Sequence, residues 1–506
     1  SSMTMLSRVT GLLRESLFAR AFGASAYTDA FIVAFRLPNL LRRLFAEGAF
    51  SQAFVPILSE YKNQHGEAET KSLADSVGTA LVWATLLTSL VGIITAPWLI
   101  MLVMGQSAND PQAFGAAVVM TRWMFPYIAC MAFVALAGGI LNTWSQFKIP
   151  AFTPVLLNIS FILASLVLVD YLEQPIYAMA VAVCVGGLLQ VGIQIPALMK
   201  IGMLPRISFN PIAALRNPGV MRMLRKMGPA VFAVSAAQIS LLINTGIASR
   251  LSAGSVSALT YADRLMEFPT AMLGVALGTV LLPSLSKANS SGDTAEYSAL
   301  LNWGLRLTFL LALPAAVGLA TLAEPMIATL FHYGKFTTQA ITTSAMPLVA
   351  YSVGLLGIIL VKTLAPAFYA RQDVRTPVRI AVGVLVFTQL MNLVFVPIFA
   401  VAGLALSIGL GACVNAGFLY AGLRSRGIYV PQKGWIVFFI KLAAAVSVMG
   451  ALSWYSASQF DWAAMQATPW LRALALLCIV GASAAAYFAV LFALGFRLGD
   501  FKRRGK

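Results

Sequence analysis

The segment from Asp29 to Glu60, DAFIVAFRLPNLLRRLFAEGAFSQAFVPILSE, is apolar and helix-prone, yet it holds Asp29, Arg36, Arg42, Arg43 and Glu47. At 100° per residue, Asp29, Arg36, Arg43 and Glu47 fall within about 40° of one another, so one polar stripe runs down a greasy helix. A charge in hydrocarbon costs about 2.5–3.5 kcal/mol on insertion scales. Such a stripe has to face other charges or a water-filled cavity. Snorkelling to an interface would account for Arg42 and Arg43. It leaves Asp29 and Glu47, on the same face, without a reason. Pro38 frees backbone groups inside the same stretch, which a membrane helix tolerates where a neighbour or a cavity satisfies them.

Two further segments carry charges of the same kind. Arg8, Arg14 and Glu15 lie in the first apolar stretch, with Gly11 between the arginines and about 120° separating Arg8 from Arg14 on an ideal helix. YADRLMEFP, residues 261–269, carries Asp263, Arg264 and Glu267. Arg264 and Glu267 are three apart, so they share a face and can pair. Arginines outnumber carboxylates in these stretches. A surplus of buried guanidinium needs an anion, and its rigid, permanently charged fork suits phosphate. The inference is a phosphate-bearing substrate in a cationic chamber. The competing explanation is a set of salt bridges between two lobes.

Catalytic chemistry is not in evidence in the sequence. There is no HExxH, CxxC, P-loop or GxSxG pattern in the polar segments. The carboxylates in the apolar stretches each sit near an Arg rather than beside one another. Cys130, Cys184, Cys413 and Cys478 each stand alone in an apolar stretch and read as small hydrophobes. His65 and His332 lie in loops far apart, and neither suggests a metal or catalytic role. No enzyme, cofactor or metal site is expected. A channel is disfavoured by the internal repeat described below.

The elements that must position these residues are membrane helices. Hydrophobic residues make up 59% of the chain and charged residues 10%, a balance that excludes a soluble domain. Lys and Arg number 35 against 18 Asp and Glu, but the excess lies in short loops, where it reports topology rather than nucleic-acid binding. About fourteen spans are expected: 2–22, 26–60, 72–104, 112–142, 149–171, 175–199, 222–252, 256–287, 298–322, 339–370, 376–398, 401–424, 434–456 and 470–496. Basic loops (Lys62 and Lys71, Lys148, Lys200 with Arg206 and Arg216 through Lys226, Lys287, Arg371 through Arg379, Arg424 through Lys433, and the tail Arg497 to Lys506) alternate with basic-poor ones near Ser25, Asn109, Glu173, Ser255, Ala400 and Asp461, with Arg20, Arg250 and Lys335 as exceptions. Both termini are then cytoplasmic.

An internal repeat sets the architecture. FVPILSE at 54–60 matches LLPSLSK at 281–287, and FKIPAFTP at 147–154 matches VRTPVRIA at 374–381; Pro56 and Pro283, like Pro150 and Pro377, stand 227 apart. The expected fold is all-α: two pseudo-symmetric lobes plus two extra C-terminal helices. The lobes are 1–201 and 222–426, joined by 202–221, with the extra spans and basic tail in 427–506. Two equal sets of an even number of spans have the same membrane orientation, which is the parallel-repeat arrangement of alternating-access transporters.

Three stretches carry a family resemblance: SRVTGLLRESLFARAFGASAYTDAFIVAFRLPNLLRRLFAEGAFSQAFVPILSEYK, ILNTWSQFKIPAFTPVLLNIS and YADRLMEFPTAMLGVALGTVLLPSLSK. They resemble the MurJ (MviN) family of lipid II flippases, within the multidrug/oligosaccharidyl-lipid/polysaccharide exporter superfamily. The resemblance runs over essentially the whole chain. It implies movement of lipid II, an undecaprenyl-pyrophosphate-linked disaccharide-pentapeptide, from the inner to the outer leaflet of the bacterial inner membrane. It matches the family's important charged residues to Arg8, Arg14, Asp29 and Arg264, with Arg42 or Arg43. Glu47 and Glu267 join them as candidates from the residue patterns above. It implies that 434–456 and 470–496 form a groove for the lipid tail. Lipid II and membrane lipids are the implied partners, with the peptidoglycan synthesis machinery as a further one and a monomer as the expected state. Some relatives have an acidic sodium ligand in span seven; here that span holds Gln238 and Asn244 and no Asp or Glu, so transport is expected to follow membrane potential. The alternative on the same scaffold is an exporter of drugs or of another isoprenoid-linked glycan. A pump for cationic drugs would want carboxylates where this sequence has arginines.

Overall fold

The computed structural model describes residues 2–45, 49–105 and 110–496. Glu47, Asn109 and the basic tail from Arg497 to Lys506 lie outside the described residues, as does the side chain of Arg8. The described residues are predominantly helical, with no strand among them. Among them, ten helices or helix pairs are long and apolar enough to cross a membrane by length and composition. The all-α membrane fold therefore stands, while a count of fourteen crossings goes beyond that measure.

The chain divides into two compact units. The first comprises residues up to Val256 together with Gly334–Phe336. It contains α1 (Ser2–Phe22), α2 (Ala26–Phe45), α3 (Ala49–Gln64), α4 (Gly66–Met104), α5 (Pro111–Met124), α6 (Tyr127–Thr143), α7 (Lys148–Leu163), α8 (Tyr177–Lys200), α9 (Pro211–Leu215) and α10 (Pro218–Ser249). Residues 26–60, expected as one helix, are described as α2 and α3 on either side of 46–48. Starts are set by ordinary caps. Asp110 accepts from the Gln112 and Ala113 N–H groups ahead of Pro111, and Asn217 accepts from Gly219 N–H ahead of Pro218.

The basic connection 202–221 is laid along α4 rather than left free. Asp75 accepts from Arg206 N–H at 2.8 Å, Thr79 Oγ1 from Ser208 N–H at 3.0 Å, and the Trp83 indole donates to Ser208 O at 2.9 Å. This fastening delivers α10 onto α3, α4 and α2, and Arg222 then grips Glu60 through two bonds of 2.7 Å. Sequence alone placed α10 with the second repeat; by contacts it packs in the first unit.

The second unit comprises Ser257–Tyr333 and the chain from Thr337 onward. It holds α11 (Ser255–Pro269), a π-helical turn Thr270–Gly274, α12 (Val275–Ser290), α13 (Thr294–Thr321), α14 (Ala323–Phe331), α15 (Thr338–Tyr369), α16 (Arg375–Phe399), α17 (Val401–Ser425), α18 (Trp435–Ser458) and α19 (Pro469–Ala493). The tightest packing joins α15 to α17, where Gly354 and Gly409 meet backbone to backbone; a Cβ on Gly354 would come within 2.0 Å of Gly409 Cα. The added pair α18–α19 is fastened to α13. Asn302 Oδ1 accepts from the Tyr429 hydroxyl and the Trp435 indole at 3.1 and 2.9 Å, and the Tyr487 hydroxyl donates to Leu310 O at 2.6 Å.

The two repeats keep equivalent cores. Phe54 and Leu58 are fully buried in the first unit; Leu281 and Leu285, each 227 residues later, are fully buried in the second. Pro56 and Pro283 both lie inside helices, α3 and α12.

Candidate functional site

The charged residues sit on α1, α2 and α11, none of which is among the ten helices long and apolar enough to cross a membrane. Burial in hydrocarbon would require polar partners, and the structure supplies several.

In the first unit, Arg14 is held from three sides. Its Nη1 donates to Asn158 Oδ1 of α7 at 3.1 Å, its Nη2 pairs with the neighbouring Glu15, and its guanidinium lies over the Phe161 ring, 5.2 Å from the centroid. Asn158 is itself fixed, donating from Nδ2 to Ser7 O and Thr10 Oγ1, both at 3.1 Å. One small amide thus satisfies α1 backbone and aims an α1 arginine. Arg14 and Glu15 keep only 19% and 12% of their side-chain surface, so the pair is largely removed from solvent.

Asp29 does something the stripe model did not anticipate. It is buried, and its Oδ2 accepts the Gly254 N–H at 2.8 Å, binding the start of α2 to the turn between α10 and α11. The turn needs glycine: φ is +86°, and a Cβ would press on Ala24 O at 2.9 Å. Further along α2, Arg36, Arg42 and Arg43 are half-buried, and Arg42 Nε donates to Asn39 Oδ1 at 2.8 Å. Both Arg42 and Arg43 are therefore present as cations on the half-buried part of α2.

In the second unit, Arg264 and Glu267 form the expected pair one turn apart on α11, Nη1 to Oε2 at 3.1 Å. It is far more open than the Arg14 pair, with 43% and 59% of the side-chain surface exposed. Sequence reasoning missed Lys362, a cation in the middle of the apolar α15. Its ammonium points to Thr270 O at 3.5 Å, and its Cδ lies 2.4 Å from where a Gly274 Cβ would stand. The π-helical turn after Pro269 is where this lysine meets the chain. A lone Lys inside an otherwise apolar run was the available signal. Sequence reasoning also missed Arg472, treated below.

Among the described residues no group of three or more His, Cys, Asp or Glu is placed to share a metal ion. Gln238 and Asn244 of α10 are buried. The chemistry available is electrostatic: fixed guanidinium and ammonium groups that can bind an anion, with carboxylates that hold them in place.

The chain was compared with known proteins. Residues 18–471 match the family model described as "Lipid II flippase MurJ". A protein from Burkholderia cenocepacia named lipid II flippase MurJ is 58% identical, covering 100% of this chain and 98% of that protein. A probable lipid II flippase MurJ of Vibrio cholerae is 40% identical over 99% of this chain and 96% of its own. Among solved structures, one described as lipid II flippase MurJ in an inward closed conformation superposes with a TM-score of 0.80 at 24% identity, covering 97% of this chain and 99% of that one. An inward-facing multidrug resistance MATE family transporter gives 0.67 at 16% identity, over 84% and 95%. The structural likenesses speak for the fold.

Proposed function

The chain belongs to the lipid II flippase MurJ family, and from that premise we propose that it carries lipid II from the inner to the outer leaflet of the bacterial inner membrane by alternating access. It is a transporter rather than an enzyme. The observation that carries this reading is the set of cations held in place on the charged helices, with Arg14 on Asn158 and Phe161 at its head. A pyrophosphate needs several fixed donors, and arginine forks supply them at any relevant pH. Arg8, Arg14, Arg42, Arg43 and Arg264 are the residues proposed to bind it. Glu47 and Glu267 balance them, and Asp29 acts through its bond to Gly254. The helices α18 and α19 would hold the lipid tail.

Charge also supplies a driving force. An inside-negative potential favours outward movement of an anion by about 2.3 kcal/mol per charge per 100 mV. Returning the emptied, cationic protein is favoured by the same field. With no carboxylate on α10, the proposal is coupling to potential rather than to sodium. Both termini are proposed to lie in the cytoplasm, a reading that the basic loops support. The protein is proposed to work as a monomer, supplying peptidoglycan synthesis.

Two measurements test this. Arg14→Ala or Arg264→Ala should fail to support growth of cells depleted of their own flippase, with the variant present in the membrane. Normal growth at normal protein levels would make these arginines structural. In vesicles, dissipating the potential at a constant sodium gradient should stop the appearance of lipid II on the outer leaflet. A strict sodium requirement at constant potential would overturn the coupling.

A further inference from the structure

Arg472, in the first turn of α19, is completely buried at 0% exposure, and none of its partners is a carboxylate. Its Nη1 lies 3.3 Å from His332 Nδ1 and donates to Trp462 O at 3.3 Å. Its Nη2 donates to His332 O at 3.2 Å. The guanidinium stacks over the Tyr333 ring, 4.8 Å from the centroid. Its Nε has no hydrogen-bond partner. Through these contacts one side chain ties three segments together: the start of α19, the link between α18 and α19, and the turn that follows α14.

The protonation state of His332 follows from geometry. A guanidinium can only donate, so His332 Nδ1 must be bare and the proton must sit on Nε2. His332 is buried at 3% exposure, and burial, aided by the Arg472 charge, holds its proton affinity below the ordinary histidine value. A second proton would turn Nδ1 into a donor aimed at a cation. α11, whose Tyr261 ring lies 5.0 Å from that of Phe331, carries Asp263, Arg264 and Glu267 further along its length. α14 offers Glu324, which is exposed, and the turn after it offers Tyr333 and Lys335. The α18–α19 link offers Asp461, whose Oδ1 already accepts from Ala463 and Ala464 N–H. α15 has no charged residue before Lys362, α13 none after Arg306, α18 none besides Lys441, and α19 none besides Arg472 itself.

We infer that Arg472 and His332 form an acid-labile staple: neutral His332 positions the start of α19 in the C-terminal helix pair, and protonated His332 releases it. On the orientation proposed above, this end of α19 faces the periplasm, whose pH follows the surroundings of the cell. The inference concerns the anchoring of α18–α19 and stands whether or not lipid II is the cargo. The sign follows from linkage. Because the folded protein binds this proton less readily than the unfolded chain, stability is lost as pH falls below about 6.5.

The chain has only two histidines, which makes the test clean. The thermal midpoint of the purified full chain in detergent would be followed from about pH 7.5 to 5. Wild type and the control His65→Gln should lose several degrees over that range. His332→Asn, whose side-chain carbonyl stands near the place of Nδ1 and accepts from Arg472 at every pH, should lose much less. A flat wild-type profile, or the same slope in His332→Asn, would overturn the staple. Nitrogen-15 spectra of the two imidazoles in the wild-type protein give a readout that needs no variant. His332 should show an unprotonated Nδ1 and take up a second proton only below the ordinary histidine value of about 6.5. An Nδ1–H tautomer, or protonation in the ordinary range, would overturn it equally.

Discussion

The segments α2–α3 and α11–α12, matched by the 227-residue offset in sequence, treat their apolar and charged positions differently. Their apolar positions are kept: Phe54 and Leu58 correspond to Leu281 and Leu285, all fully buried. Their charges are not. Around the first copy, local pairs such as Arg14–Glu15 and Arg42–Asn39 are joined by bonds to residues remote in sequence, Asp29 to Gly254 and the α1 arginine to Asn158. In the second copy, Arg264 is paired within its own helix and stays open. The difference teaches that packing constrains the repeat while polar contacts are free to specialise. A buried apolar residue loses contacts on every side when changed. A charge needs only one suitable partner, wherever the chain supplies it.

The largest effects should fall where the copies agree. Phe54→Ala should cost about 3–5 kcal/mol and Leu281→Ala about 2–5 kcal/mol. Thermal or denaturant unfolding in detergent would measure both. A cost near zero at one site alone would show that the cores are not equivalent.

Next come the arginine supports, where the copies should differ. Asn158→Ala removes the group that aims Arg14 and should depress flipping by about 100-fold, the scale of a misplaced functional group. Glu267→Gln should change far less, since an exposed pair contributes only about 0–1 kcal/mol. Transport assays of both variants would collapse the contrast if the effects came out alike.

Asp29 allows a finer cut. Asp29→Asn keeps an oxygen for the Gly254 N–H but loses the charge, whereas Asp29→Ala loses both. If the bond to the α10–α11 turn is what matters, growth complementation should survive Asn and fail with Ala. Equal failure would return Asp29 to an electrostatic role.

The smallest expected effect is at Asp373, in the turn between α15 and α16. The Thr376 hydroxyl at 2.6 Å and then Arg426 at 2.8 Å hold its carboxyl down to about 2. Its folded affinity for protons is below the unfolded one, so its contribution is complete above about pH 4 and is lost as pH falls toward 2. Asp373→Asn should flatten the stability profile slightly in that acid window. No flattening would mean that the bonds to Thr376 and Arg426 do not influence folding.

Much of this protein was legible in sequence because its determinants are local or periodic. Apolar runs of spanning length announce membrane helices through the cost of unpaired backbone in hydrocarbon. The 227-residue offset announced the repeat, and the three-residue spacing of Arg264 and Glu267 announced their pair. What stayed hidden depends on which remote residues the fold brings together. Arg14 meets Asn158 across 144 positions, Asp29 meets Gly254 across 225, and Arg472 meets His332 across 140. No pattern along the chain encodes such meetings. The same holds for α10, which follows the first repeat in sequence like the opening helix of the second. Its connection is pinned to α4 by Asp75, Thr79 and Trp83, and that packs it with the first unit. Sequence determined the helices and the presence of charged residues among them, because hydrophobicity and charge act residue by residue. Tertiary structure alone decided the partner of each charge, because a hydrogen bond depends on position in space and not on separation along the chain.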